Sequence, residues 1–115
     1  MRRLGCALAA FGALALPAPA SAHTLPMARA VAKARQYAAD LAVRTWETRN
    51  RGSELTGCRR VNDHTVECTF FTSAQPEPPL TGTFRCDEIV QVYYANPRSS
   101  VPQARPVGLP NCHLV

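Results

Sequence analysis

Four cysteines, Cys58, Cys68, Cys86 and Cys112, carry the clearest chemistry in this sequence of 115 residues. A fifth, Cys6, lies in an amino-terminal apolar run and is set aside with it below. An even cysteine count in a short exported chain reads as a disulfide framework. Four cysteines allow three connectivities, and hairpin geometry favours one of them. If Asn62, Asp63 and His64 form a three-residue loop, Val61 faces Thr65, Cys58 falls opposite Cys68, and Arg59 falls opposite Glu67. That register puts Arg60 on the face of Cys58 and Val66, so its guanidinium must reach past the core edge. Folding about residues 96–100 brings 110–112 back beside 84–86, which suggests Cys86–Cys112 as the second bridge. A zinc site is the rival reading. There is no C-x-x-C pair and no two-cysteine, two-histidine spacing, and adjacent Cys112 and His113 do not aim two ligands at one ion. No metal and no other cofactor is expected.

The remaining polar residues assemble no catalytic motif. His23, His64 and His113 read as terminal or turn residues. An amino-terminal His23 would chelate copper with its own amine, but nothing else in the sequence supports that. Small microbial guanyl-specific ribonucleases also place a helix before an antiparallel sheet and use Glu, His and Arg. Here Glu67, Arg59, Arg85 and His113 supply the residue types without any of that family's local signatures, so no residue is assigned a catalytic role. Secreted bacterial subtilisin inhibitors are likewise small α+β domains with two disulfides. The stiff segment Gln75-Pro76-Glu77-Pro78-Pro79 would serve as a presented loop, although the cysteine spacing and element order differ. Arg59, Arg60, Arg85, Arg98 and Arg105 are interleaved with acids and carry no nucleic-acid motif, so they read as a solvated face. Phe71 and Tyr93 each fall on the non-core face of a strand. With Arg59 they form the candidate interaction surface.

The compartment follows from the amino terminus. Arg2 and Arg3 precede an uncharged Ala/Leu-rich run from Leu4 to Leu16, Pro17 breaks it, and Ala20-Ser21-Ala22 supplies small residues for cleavage. Residues 1–22 are therefore expected to be a signal peptide, removed together with Cys6. The run is shorter than the about 20 residues a membrane span requires. Losing Arg2 and Arg3 lowers the net charge from +5 to about +3, mildly basic and specific for no anionic partner.

The elements that must position these residues follow from periodicity. Residues 24–51 are expected to form one amphipathic helix, with Thr24 as cap, Pro26 in the first turn and Gly52 at the exit. Met27, Val31, Ala34, Ala38, Leu41, Ala42 and Thr45 form its apolar stripe, flanked by Tyr37 and Trp46. Asp40–Arg44 and Glu47–Arg51 stand four apart, acid first. From Leu55 onward the period becomes two. Val66, Cys68 and Phe70 alternate with polar residues. Phe84, Cys86, Val90, Val92 and Tyr94 share one parity, interrupted by Glu88, which suggests a bulge near Asp87-Glu88. Pro102 and Pro106 confine 101–109 to a sheet edge. The fold class expected over residues 23–115 is a single α+β domain: one helix packed on a three- to four-stranded antiparallel sheet with two disulfides.

With the helix, the C-x9-C hairpin, the later G-T-F-R-C strand and the V-G-L-P-N-C ending, the chain resembles a group of small secreted proteins of GC-rich, actinobacteria-like bacteria. These combine an amino-terminal helix with a Cys-bearing β-meander, cystatin-like in outline. The resemblance spans residues 26–112. It implies the fold and carries no activity, cofactor or site residue with it. The function expected is a non-enzymatic secreted or periplasmic binding module, acting on a protein or cell-envelope component. No specific nucleic-acid binding and no membrane span after signal cleavage are expected. A protease inhibitor presenting residues 75–80 and a small secreted hydrolase are the alternatives.

Overall fold

A computed structural model describes residues 24–115; residues 1–22, expected to be a signal peptide, with Cys6, and His23 lie outside the described residues. Among the described residues one helix, α1 (Met27–Thr45), precedes four strands: β1 (Arg51–Asn62), β2 (Thr65–Ala74), β3 (Phe84–Tyr93) and β4 (Gln103–Leu114). The strands form an antiparallel meander in sequence order, with β2 and β3 central and β1 and β4 at the edges. The helix lies across one face, chiefly over β1 and β2.

The helix is shorter than its periodicity suggests. Pro26, not Thr24, is the N-cap, and no side chain caps the end. The reason is Leu25, which is fully buried and tied to the first hairpin: its N–H donates to the Asp63 carbonyl at 2.8 Å, and Pro26 after it is extended. At the other end Trp46 leaves the helix in extended conformation, with its N–H still bonded to Ala42 O. Its indole Nε1–H donates to Thr72 Oγ1 at 3.2 Å, and its ring stacks on Phe84 at 6.1 Å. Those contacts stop the helix at Thr45. Gly52 is thus inside β1, and Glu47 lies beyond the helix end. Arg51 donates instead to the carbonyls of Trp46 and Thr48.

Four alanines spaced by four, Ala30, Ala34, Ala38 and Ala42, form the buried stripe. Ala30 belongs to it in place of the exposed Met27 and Thr45. Small side chains let the helix backbone sit close to the sheet. Phe70, Val66, Val90, Val92, Tyr94 and Leu25 fill the space between. Tyr37 meets Phe70 edge-on at 6.0 Å.

Both bridges join directly opposed residues: Cys58–Cys68 ties edge strand β1 to β2, and Cys86–Cys112 ties β3 to edge strand β4. The first hairpin turns more tightly than a three-residue loop. Asn62, not Val61, faces Thr65, and a bulge between Arg60 and Asn62 restores the register that aligns the cysteines. Arg60 escapes the core edge by donating to the carbonyls of Asn62, Asp63 and Leu25. It thereby pins the turn to the chain entering the helix.

The irregularity at Glu88 is real, but the extra residues sit on the neighbouring strand. β2 and β3 pair without interruption, whereas Asp87 faces Asn111 and Ile89 faces Val107. Gly108, Leu109 and Pro110 of β4 are therefore accommodated opposite Glu88, with Gly108 at φ 74° where a side chain would be strained.

Candidate functional site

Strand parity divides the side chains between two faces. Val66, Cys68, Phe70, Thr72 and Ala74 of β2 point under the helix. Thr65, Glu67, Thr69, Phe71 and Ser73 point to the opposite face, as do Arg85, Asp87, Ile89, Gln91 and Tyr93 of β3. Among the described residues no element covers that second face.

All three candidate surface residues lie on it. Phe71 faces Asp87 and Tyr93 faces Thr65 in the register, so the rings sit six strand positions apart, about 20 Å. They occupy opposite ends of the face, each half-buried beneath an arginine. The Arg85 guanidinium carbon lies 3.9 Å from the Phe71 ring centre, and that of Arg105 lies 4.4 Å from Tyr93. Both arginines are fixed from the side. Arg85 donates through Nε and Nη2 to Asp87 Oδ1 at 3.1 and 2.9 Å. Arg105 donates through Nε to Gln91 Oε1 at 2.9 Å. Arg59 pairs across the strands with Glu67 at 3.0 Å while its own side chain stays 71% exposed.

Between the two arginine–ring pairs a groove of about 280 Å³ crosses the sheet. Ile89 and Val107 give it an apolar lining, with Leu109 from the β4 bulge. Thr56 and Thr69, hydrogen-bonded to each other at 2.7 Å, line it from β1 and β2, and Asp87 and Asn111 add polar groups.

The hydrolase residue types are divided rather than gathered. Arg59 and Glu67 form their own pair, while Arg85 joins Asp87, whose Oδ2 is 3.9 Å from His113 Nδ1. His113 faces Arg85 in the register, and Glu67 faces Gln91. Among the described residues no three His, Cys, Asp or Glu side chains are grouped to hold a metal. The proline-rich segment runs from Gln75, whose N–H donates to Asn50 O at 2.8 Å and whose carbonyl accepts from Thr48 Oγ1 at 2.8 Å. Leu80 stands on it 67% exposed.

Glu88 lies on the helix side of the sheet, opposite Phe70. Burial raises its carboxyl pKa above the ordinary carboxylate value. The Tyr37 hydroxyl is raised as well, by burial first and then by Glu88, against an opposing contribution from Arg44. A raised folded-state pKa means that the native state holds the Glu88 proton more tightly than the unfolded chain does. The associated stability is complete below the unfolded value and is lost as pH rises through the folded one. Glu88→Gln, which is neutral at every pH, is therefore expected to melt higher than the wild type near neutrality. The gain should vanish on acidification below roughly pH 4. Paired thermal melts across pH check both the sign and the window.

The arginine–ring pairs were the part that sequence reasoning missed. Arg85 and Phe71 lie diagonally across two strands, as do Arg105 and Tyr93, and only the inter-strand register brings them together. Two disulfides are consistent with an oxidising compartment. Among the described residues no helix is long and apolar enough to cross a membrane. No family model, curated protein or solved structure matches the chain.

Proposed function

We propose that this protein is a non-enzymatic binding module of a secreted or periplasmic setting, and that it engages a protein partner through the uncovered sheet face. The observation that carries the reading is the groove at Ile89 and Val107 set between two arginine–ring pairs. Aromatic and arginine side chains around a small apolar centre are the composition of protein–protein contact surfaces. Each ring has a guanidinium over its face, where a sugar or a base would otherwise stack. A protein surface is therefore favoured over an envelope polysaccharide. The side-chain anchors Asp87 and Gln91 hold the two arginines in place before a partner arrives, which reduces the ordering cost of binding.

The test uses Ile89→Arg. Ile89 is on the open face, away from the helix core, so the substitution leaves folding intact while filling the groove with a charge. Co-purification of the partner from the host's extracytoplasmic fraction is expected to fall roughly tenfold or more, with the melting temperature little changed. Unaltered recovery of the same partner would overturn the reading.

Protease inhibition is a second reading, favoured by one observation. Leu80 is presented on a segment whose base is held by Thr48 and Asn50. On that reading Leu80→Asp abolishes inhibition of a subtilisin- or chymotrypsin-type protease, while Ile89→Arg leaves it unchanged.

A further inference from the structure

The two sheet edges differ in kind. Edge strand β4 carries Pro106 and Pro110, which lack donors, and a bulge at Gly108. Edge strand β1, RGSELTGCRRVN, is bulged at Thr56 and Val61 but has no proline over its full length, so every residue keeps its backbone donor. Among the described residues no strand pairs with its outer side.

We propose that two copies of this chain pair antiparallel through the free edges of β1, extending the sheet across a two-fold axis. Three independent observations select the same register. Complete overlap of β1 with a second β1 places Arg51 opposite Asn62 of the other copy, and hence Glu54 opposite Arg59. Both side chains project from the open face, because Glu54 faces Phe71 and Arg59 faces Glu67 within the chain. Each copy thus donates one acid and one base to two symmetric cross-strand pairs. Glu54 has no ion pair among the described residues, and Arg59 remains largely exposed despite Glu67.

Hydrogen-bonding phase agrees. Cys58 and Cys68 have Cα atoms 4.0 Å apart, the close spacing of a non-hydrogen-bonded pair, so the Cys58 N–H and C=O point outward. Alternation along β2 puts Leu55, opposite Phe70, in the same class, along with Ser53 and Arg60. Complete overlap sets Leu55 against Cys58 and Ser53 against Arg60, matching outward groups with outward groups. Glu54 and Arg59 then fall at non-hydrogen-bonded positions, where side chains approach most closely.

The axis supplies the third observation. It passes between Thr56 and Gly57, where the extra residue of a β1 bulge brings Leu55 and Cys58, and likewise Glu54 and Arg59, onto matching faces as a two-fold pairing requires. On the helix side a groove of about 380 Å³ lies over this point, lined by Met27, Val31, Arg35 and Leu55–Cys58. Met27 is 38% exposed there. The same groove of the second copy meets it across the axis, so apolar surface at the rim of each helix is covered.

Sedimentation velocity of the oxidised protein tests this over a range of concentrations. The wild type should sediment as a concentration-dependent dimer. Glu54→Arg and Arg59→Glu should each weaken dimerisation roughly tenfold or more, because two favourable pairs become two like-charge pairs. The double variant Glu54→Arg/Arg59→Glu, with the charges exchanged, should dimerise clearly more tightly than either single variant, even though the new acid at position 59 faces Glu67 within the chain. Ser53→Pro serves as a second probe. The Ser53 N–H points to the free edge rather than to β2, so its removal spares the ladder within the chain while taking away a donor that the paired edges need, and dimerisation should weaken. A wild type that stays monomeric throughout, or a dimer indifferent to both single charge changes, would overturn the proposal.

Discussion

Removing the Cys86–Cys112 bridge as the paired Cys86→Ala/Cys112→Ala variant is expected to lower the free energy of unfolding by about 3.5 kcal/mol. The bridge closes a loop of sequence separation 26, and the cost of opening it is mainly the freedom returned to the unfolded chain. The Cys58–Cys68 bridge spans only 10 positions, for which the same relation gives about 3 kcal/mol. The two losses are expected to differ further in where they act. β4 is an edge strand whose pairing with β3 is broken by the extra residues Gly108, Leu109 and Pro110, so the bridge at Cys112 anchors the short stretch beyond that bulge. β1 has a longer paired register and retains Arg60 as a clasp to the chain entering the helix. A domain of this size has a total stability of about 5–15 kcal/mol, so either loss is large. Urea titration of the two paired variants measures both. Hydrogen exchange should show β4 opening first when Cys86–Cys112 is absent. A loss below about 1 kcal/mol for the longer loop would mean that the unfolded chain is already constrained there.

Phe70→Ala is expected to cost about 3–5 kcal/mol. Phe70 is the largest fully buried side chain and is 1% exposed. It lies against Tyr37, and the helix stripe above the sheet is made of alanines that have no side chain to move into a cavity. The surrounding structure can therefore relax little, which places the cost at the upper part of that range. The open face provides the control. Phe71, one residue on, is half-buried beneath Arg85 with no second layer over it, so Phe71→Ala should cost substantially less. Equal losses for the two would contradict the assignment of a single core on the helix side.

Much of this architecture was legible because local chemistry and global fold agree. Cys58 and Cys68 flank one turn, and any register aligning them also sets Arg59 against Glu67; both features are present. Cys112 returns to Cys86 because the turn at 96–100 leaves strands of matching length. The helix end was not legible. Residues 46–51 continue a helical pattern of charges, and the contact that overrides it joins Trp46 to Thr72 and Phe84, which are distant in sequence. Glu88 announced an irregularity through its parity. Nothing local indicates that the additional residues belong to β4, since Gly108 and Pro110 read equally well as a turn. The candidate face was legible as a parity: Phe71 and Tyr93 oppose the core residues beside them. Its organisation was not. The placement of Arg85 over Phe71 depends on how β2 and β3 align across residues 75–83, a connection whose length no turn motif dictates.

A photo-crosslinking side chain placed at Thr65, beside Tyr93 on the uncovered sheet face, tests most directly in the native host whether that face is the working surface. Equivalent probes at Gln36 on the exposed side of the helix and at Glu77 in the proline-rich segment provide the comparison. A discrete heterologous adduct is expected from position 65, none from position 36, and loss of that adduct when Ile89 is replaced by Arg. Adducts from position 77 alone, or equal labelling from the helix and the sheet face, would contradict it.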